Sequence, residues 1–128
     1  MSGYILAVDD DADVAGLVEV ILDQAGYRVA TANDGAQALA RVAESRPDLV
    51  ILDLMMPEMS GFTVLRHLRS NPETLGIPVL ILTARVTETD TTDAYALGAD
   101  VFLAKPFEPD ELIDAIAALL PKAARLPK

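Results

Sequence analysis

Aspartate residues follow two separate apolar segments of the chain, where they could bind a metal ion and a phosphoryl group. Asp9, Asp10 and Asp11 follow the first segment, and Asp53 follows another. A carboxylate can act as a nucleophile that accepts a phosphoryl group. Crowded carboxylates repel each other unless a cation lies among them, and Mg²⁺ prefers a few carboxylates plus water and phosphate oxygens. The pattern predicts a Mg²⁺ site, with Mn²⁺ as the alternative ion, at which Asp53 is the phosphoacceptor.

A hydroxyl group and an amine follow two further apolar segments, and both suit phosphoryl transfer. Thr83 directly follows one segment and Lys105 directly follows the other. Phosphoryl transfer requires placement of the reacting groups and neutralisation of the phosphoryl oxygens. Lys105 is expected to supply positive charge, and the Thr83 hydroxyl one hydrogen bond. Taken singly, each also fits a structural or surface role, but together with the aspartates they favour one shared site.

Four apolar segments lack the alternation of a sheet with one wet face and predict strands buried on both faces. They are Tyr4 to Val8, Leu49 to Leu52, Pro78 to Leu82 and Val101 to Ala104. Tyr27 to Ala32, interrupted by polar residues, predicts a fifth strand at an edge of the sheet.

Five helical segments alternate with these strands. The first has its apolar face at Val14, Leu17, Val18, Ile21, Leu22 and Ala25 and begins at Asp11, an expected N-cap. The others are Gly35 to Ser45, Gly61 to Ser70, a fourth closed by Gly98, and a fifth that begins near Pro109 and ends at Pro121.

This alternation predicts a doubly wound α/β fold, with a parallel sheet covered by helices on both faces. Ligands of such sheets bind beyond the carboxyl ends of the strands, which is where the four candidate positions lie. We expect one domain over residues 1–121, with 122–128 a C-terminal tail or linker stump.

The chain has 128 residues, a formal net charge of -10 and no cysteine. A strongly acidic domain repels phosphate backbones and anionic membranes, so direct binding to nucleic acid or to a membrane is not expected. The chain shows neither a signal-peptide pattern nor an apolar run long enough for a bilayer. A cytoplasmic protein is therefore expected.

Several short motifs, in this order and spacing, resemble the response-regulator receiver family of two-component signalling, which includes chemotaxis regulators. They are Val8-Asp9-Asp10-Asp11, Asp53-Leu54-Met55-Met56-Pro57 with Gly61, Thr83-Ala84, Gly98-Ala99-Asp100 and Lys105-Pro106-Phe107. The resemblance covers nearly the whole chain. It implies a flavodoxin-like fold with strand order 2-1-3-4-5.

The resemblance also implies roles for individual residues. The metal would be held by Asp9, Asp10, Asp53 and the main-chain carbonyl of Met55. Thr83 and Lys105 would contact the phosphoryl group on Asp53, and Phe102 would be the aromatic ring that turns inward as the threonine moves. A packing role also fits Phe102. The family often has a cis peptide bond at the position of Lys105-Pro106.

The resulting prediction is a signalling switch that catalyses only its own phosphorylation and dephosphorylation. A histidine kinase or phosphotransfer protein would donate the phosphoryl group, and the face of the fourth helix, fifth strand and fifth helix would bind a downstream protein. The alternatives are an input domain from a longer response regulator or hybrid kinase and, remotely, an aspartyl-phosphate phosphohydrolase. The latter would carry a second aspartate at the position of Met55.

Three further residues bear on partners and signal lifetime. The bulk of Met55 and Arg85, two positions after Asp53 and Thr83, predicts slow hydrolysis of the phosphoryl group. His67 is expected to be a solvated residue without a function. A phosphorylation-dependent homodimer stays open, but the fourth and fifth helices lack the arginine and lysine residues of the charged dimer face that regulators with winged-helix outputs commonly carry.

Overall fold

A computed structural model describes residues 3–84 and 87–124 as five strands and five helices in strict alternation. The strands are β1 (Tyr4–Val8), β2 (Arg28–Ala32), β3 (Leu49–Leu52), β4 (Val79–Thr83) and β5 (Val101–Ala104). The helices are α1 (Ala12–Gln24), α2 (Gly35–Glu44), α3 (Gly61–Ser70), α4 (Glu88–Ala96) and α5 (Pro109–Ala124).

The strands form one parallel sheet in the order β2-β1-β3-β4-β5, which confirms the predicted doubly wound α/β fold. Along β1, Leu6 and Val8 face a core that includes residues of α2, α3 and α4, whereas Ile5 and Ala7 face a second core with residues of α1 and α5. Both faces of the central strands are thus covered. This explains why their sequences are continuously apolar.

Side chains at the helix starts satisfy backbone N–H groups that have no partner within the helix. Asp11 caps α1 as predicted, with Oδ1 accepting from the N–H of Asp13 at 2.9 Å. Asp34 caps α2 by accepting from the N–H of Gln37 (2.7 Å), and the Gln37 side chain accepts in return from the N–H of Asn33 (2.6 Å). Because α1 begins immediately after the aspartate cluster, its cap also fixes the loop that carries the cluster.

Two predictions about burial were wrong. β5 is the edge strand beyond β4, and its residues are half-buried or exposed because no strand covers its outer side. Leu17 is 53% exposed, since the buried stripe of α1 is centred on Ala15, Val18 and Leu22, about 130° around the helix from Leu17.

Some predicted boundaries also shift. β2 begins one residue later than expected, β4 spans Val79–Thr83 so that Thr83 lies within the strand, and α2 ends at Glu44. The predicted helix end at Pro121 was wrong, because α5 continues to Ala124. Proline removes one N–H donor but keeps a helical φ, and the following alanines favour helix. Within residues 3–84 and 87–124, no helix has the length and apolar character needed to cross a bilayer.

Candidate functional site

The carboxyl ends of β1 and β3 bring three predicted site residues together. Asp9 and Asp53 directly follow these adjacent strands, and the N–H of Asp53 donates to the carbonyl of Val8 at 3.0 Å. One carboxylate oxygen from each of Asp9, Asp10 and Asp53 lies within 4.8 Å of the other two. Asp9 and Asp53 are buried and Asp10 is exposed. The cluster is therefore anchored in the core on one side and open to solvent on the other.

Lys105 places its ammonium group beside the two buried carboxylates. Its Nζ lies 2.7 Å from Asp9 Oδ2 and 3.4 Å from Asp53 Oδ2. Burial raises the pKa of Asp9, and the hydrogen bonds from Lys105 and from the N–H of Asp11 oppose that rise without cancelling it. Burial acts to lower the pKa of Lys105, but the hydrogen bond to Asp9 and the charge of Asp53 outweigh it, so this pKa is raised. Lys105 therefore stays charged and only partly compensates the acidic cluster.

Backbone N–H groups fix the orientation of both buried carboxylates. Asp9 Oδ1 accepts from the N–H of Asp11 at 2.9 Å, and Asp53 Oδ1 accepts from the N–H of Met55 at 3.1 Å. The second bond holds the Met55 main chain next to Asp53, while the Met55 side chain is 48% exposed at the edge of the site. These bonds leave the Oδ2 atoms of Asp9 and Asp53 to face Lys105.

Gly61, predicted from the sequence as a motif residue and as the start of the third helix, lets α3 approach the backbone of Asp53. A Cβ at this position would overlap with the Asp53 carbonyl oxygen and lie 2.7 Å from the Cα of Leu54. The N–H of Gly61 donates to the carbonyl of Leu54 at 3.1 Å. Only a glycine permits this approach without moving the backbone that carries Asp53.

Thr83 and Lys105 are connected through their main chains. The N–H of Lys105 donates to the carbonyl of Thr83 at 2.9 Å, and Thr83 is fully buried at the end of β4. Phe102, on β5 opposite Ile81, is half-buried and packs against the core that includes residues of α2, α3 and α4. The peptide bond Lys105-Pro106 is cis, as expected from the resemblance.

The charges and atom types of the cluster fit a divalent metal ion. Among the described residues, the cluster has three carboxylates, and two of them, Asp9 and Asp53, contact the single ammonium group of Lys105, so the formal charge of the group is -2 when all three are ionised. A small hard dication such as Mg²⁺ has the matching charge and the matching preference for oxygen. The predicted metal ligands Asp9, Asp10 and Asp53 are thus consistent with the geometry, and Met55 stands beside them.

Two predictions concern residues away from this cluster. His67 is exposed on α3, in agreement with its expected solvated position. Arg85 lies outside the described residues. Arg69, a residue of the same helix with no role predicted from the sequence, donates from its guanidinium group to three main-chain carbonyls and to Asp100. The two-residue spacing from the exposed His67 could have signalled a different helix face, because residues two apart do not face each other on a helix.

Comparison with known proteins gives consistent matches. The family model described as the response regulator receiver domain matches residues 5–117. The chain is 42% identical over 124 residues to the DNA-binding dual master transcriptional regulator RpaA of Synechocystis sp., covering 97% of this chain and 52% of RpaA. It is 44% identical over 120 residues to the DNA-binding response regulator MtrA of Mycobacterium tuberculosis, covering 94% of this chain and 51% of MtrA.

A solved structure of the chemotaxis protein CheY4 of Vibrio cholerae superimposes with a TM-score of 0.89 at 35% identity, covering 94% of this chain and 100% of CheY4. The chain spans about half the length of the curated relatives that it matches. The matched residues 5–117 include the aspartate cluster, Thr83 and Lys105. The chain belongs to the response regulator receiver domain family.

Proposed function

We propose that Asp53 accepts a phosphoryl group from the phosphohistidine of a histidine kinase or phosphotransfer protein, and that this modification switches the binding of a protein partner. The observation that carries the proposal is the cluster of Asp9, Asp10 and Asp53, whose oxygens lie within 4.8 Å of each other beside the Lys105 ammonium group. Membership of the receiver family supports the same role.

The transfer step is a displacement at phosphorus. A carboxylate oxygen of Asp53 attacks, its bond to phosphorus forms as the phosphorus–nitrogen bond of the donor breaks, and the donor histidine leaves. Hydrolysis later breaks the new oxygen–phosphorus bond, releases phosphate and restores the carboxylate. The protein contributes mainly position and charge. Asp53 is held by its strand and by the N–H of Met55, and Lys105 supplies positive charge.

A bound Mg²⁺ would be held by Asp9, Asp10, Asp53 and the Met55 carbonyl, and would neutralise charge on the phosphoryl oxygens. The two uncompensated negative charges of the cluster support this ligand set. They would otherwise repel an incoming phosphoryl group.

The switch would pass through Thr83 and Lys105. A phosphoryl dianion on Asp53 is a new partner for the Thr83 hydroxyl and for the Lys105 ammonium group, which now bonds Asp9. Because the Lys105 N–H is bonded to the Thr83 carbonyl, a shift at one residue reaches the other. Phe102 lies on β5 and packs against the core that contains Ala94 of α4, so repacking of its ring would alter the α4–β5–α5 face.

The intact mass of the protein after incubation with acetyl phosphate tests this proposal. We expect a labile gain of one phosphoryl group that requires Mg²⁺, that disappears in Asp53→Asn and that persists in the control Asp23→Asn, an exposed residue of α1. Retained phosphorylation in Asp53→Asn would refute the assignment of Asp53. Rapid consumption of the donor without a retained group would favour the phosphohydrolase alternative.

The acidity of the α4–β5–α5 face favours a different protein over a second copy as the downstream partner. Between residues 88 and 124, which span α4, β5 and α5, the basic residues are Lys105, which faces the aspartate cluster, and Lys122 near the end of α5. The acidic residues of this range are Glu88, Asp90, Asp93, Asp100, Glu108, Asp110, Glu111 and Asp114. Two such faces would repel each other, and they would equally repel nucleic acid.

Two contexts fit a cytoplasmic switch of this kind. The names of RpaA and MtrA support an input domain of a DNA-binding regulator, and the full coverage of CheY4 supports a receiver that acts alone.

Sedimentation of the protein with and without beryllofluoride, a phosphoryl mimic, tests whether the downstream partner is a different protein or a second copy. We expect a monomer in both states, and a dimer that forms with beryllofluoride would contradict it.

A further inference from the structure

Arg69, near the end of α3, joins that helix to the loop that precedes β4 and to the loop that precedes β5. Nε and Nη2 donate to the carbonyl of Gly98 at 3.0 and 2.8 Å. Nη1 donates to the carbonyls of Leu75 and Ile77 at 3.0 and 2.8 Å, and Nη2 also lies 3.2 Å from Asp100 Oδ2. The side chain is 16% exposed. A planar guanidinium group holds such a set of acceptors in one fixed geometry.

The loop after α4 is shaped to receive this side chain. Gly98 has φ +104°, and a Cβ there would lie 2.8 Å from Arg69 Nε. Asp100 Oδ2 also accepts from the N–H of Val79 at 2.8 Å, and the N–H of Asp100 donates to the carbonyl of Val79 at 2.9 Å. The end of α4 is therefore connected both to α3 and to the start of β4.

The helix α4 itself has little burial along its length. Ala94 is its one buried residue among the described positions, and the next buried residue, Ala99, follows in the loop. The N–H of Ala99 donates to the carbonyl of Ala94 at 3.0 Å. Since burial of apolar groups is the main force that holds a helix on a sheet, the connections at Gly98 and Asp100 carry much of the attachment of α4.

We propose that Arg69 makes the C-terminal end of α4 a fixed pivot, so that phosphorylation of Asp53 moves the N-terminal end of α4 while residues 97–101 stay in place. This inference rests on the proposed function and specifies how the α4–β5–α5 face changes. A shift of Thr83 acts on the chain that leads into the start of α4 at Glu88, whereas the bonds of Arg69 resist movement at Gly98. Such a one-ended attachment converts a local change into rotation of a helix about a hinge.

An isolated Arg69–Asp100 ion pair would not carry this role, because exposed ion pairs contribute little. The hydrogen bonds to the carbonyls of Gly98, Leu75 and Ile77 supply the attachment, because they join the Arg69 side chain to the main chain of two separate loops. The position of α3 is in turn fixed at its other end by the close contact of Gly61 with Asp53. One helix thus connects the phosphorylation site to the pivot.

Hydrogen exchange measured by mass spectrometry on the whole chain tests the pivot, with and without acetyl phosphate and Mg²⁺. In the wild type we expect phosphorylation to change exchange over residues 87–93 and to leave residues 97–101 unchanged. In Arg69→Gln, exchange over 97–101 should rise about tenfold before phosphorylation, as expected when several hydrogen bonds to a loop are lost, and the phosphorylation-induced change should extend into that segment. The matched control is Arg66→Gln, an exposed arginine of the same helix, which should behave as the wild type.

Arg69→Lys, which keeps the charge but not the planar fork, is the second variant and should resemble Arg69→Gln in exchange over 97–101. It decides the question if Arg69→Gln does not fold. The pivot is overturned if Arg69→Lys and Arg69→Gln show wild-type exchange over residues 97–101. It is also overturned if phosphorylation of the wild type changes exchange over residues 97–101 as much as over residues 87–93. The mass of each sample reports Asp53 phosphorylation separately. If no variant gains mass, the proposed function fails. If the Arg69 variants show wild-type hydrogen exchange over residues 97–101 before phosphorylation, the pivot fails, so the two failures are distinguishable.

Discussion

The ammonium group of Lys105 lies closer to Asp9 than to Asp53, with Nζ 2.7 Å from Asp9 Oδ2 and 3.4 Å from Asp53 Oδ2. Without a metal ion, the lysine therefore bonds chiefly to a carboxylate that we assign to the metal site. A cation and a phosphoryl group would both change this arrangement, because the first competes for Asp9 and the second offers Lys105 a stronger acceptor.

Replacement of Lys105 should therefore affect stability most when Mg²⁺ is absent. Lys105→Ala leaves two buried carboxylates without a compensating charge, and we expect a loss of about 3 kcal/mol in the free energy of unfolding in EDTA. Mg²⁺ should restore much of that loss by supplying the missing positive charge. Urea unfolding with EDTA or Mg²⁺ measures both values.

Lys105→Ala should also separate phosphorylation of Asp53 from the conformational change that follows it. We expect Asp53 in Lys105→Ala to remain phosphorylated by acetyl phosphate, while the change in hydrogen exchange over residues 87–93 is lost. An equal exchange response in variant and wild type would show that Lys105 is not needed for the switch.

Asp9 should make stability depend on pH in the absence of Mg²⁺. Its pKa is raised by burial above the ordinary 3.8, so the folded state holds the proton more tightly than the unfolded chain does. The associated stabilisation is complete below pH 3.8 and is lost as pH rises through the raised pKa. At neutral pH the ionised carboxylate is thus a net cost, and Asp9→Asn should raise the Tm in EDTA.

Thermal unfolding of Asp9→Asn, the wild type and the charge control Asp23→Asn as a function of pH measures this effect. The gain of Asp9→Asn over the wild type should shrink as pH falls below the raised pKa of Asp9. Added Mg²⁺ should raise the Tm of the wild type more than that of Asp9→Asn, because the variant lacks one ligand. A variant that is less stable than the wild type at neutral pH in EDTA would contradict this account.

Two glycine substitutions should have opposite effects. Gly61→Ala would press a methyl group against the backbone of Asp53 and should cost about 2 kcal/mol, as other overpacking changes do. It should also slow phosphorylation, because the Asp53 carboxylate moves with its backbone. Gly16→Ala, in α1 with no atom within 4 Å of the added Cβ, should instead stabilise the protein by about 0.5–1 kcal/mol.

Urea unfolding and the initial rate of mass gain with acetyl phosphate test the pair. The expected order of stability is Gly16→Ala, wild type, Gly61→Ala. Normal phosphorylation of Gly61→Ala would show that the close approach of α3 serves packing only.

Met55 should slow the loss of the phosphoryl group. Its side chain is about half-exposed at the edge of the site, and its N–H is bonded to Asp53, so its bulk lies near the route of an attacking water. Met55→Ser, alone and with Arg85→Ser, should increase the decay rate severalfold. The decay of the phosphorylated mass after removal of donor measures this rate, with Leu75→Ser, an exposed residue of the loop after α3, as the control. Unchanged decay in the double variant would exclude the steric explanation.

The sequence alone determined the fold and which candidate residues lie at the carboxyl ends of the strands. Short continuous apolar runs such as Leu49–Leu52 predict strands covered on both faces, and their alternation with helical segments predicts a parallel sheet. The carboxyl ends of such strands meet at one edge of the sheet. For this reason Asp9, Asp53 and Lys105 could be assigned to one site from their positions after strands.

Only the tertiary structure decided which atoms face each other within that site. The preference of Lys105 for Asp9, and the contact of Gly61 with the Asp53 backbone, depend on differences of about an ångström or less in distances between residues that are not adjacent in sequence. Local patterns do not encode such distances. They follow from the packing of α3 and β5 against the sheet.

The role of Arg69 was hidden from the sequence for the same reason. Its acceptors are main-chain carbonyls of Leu75, Ile77 and Gly98, and every residue carries a carbonyl, so residue types give no sign of the contact. The exposure of Leu17 and the partial burial of β5 likewise depend on which neighbour covers each face. Sequence patterns determine which residues can be buried, and the assembled fold decides which of them are.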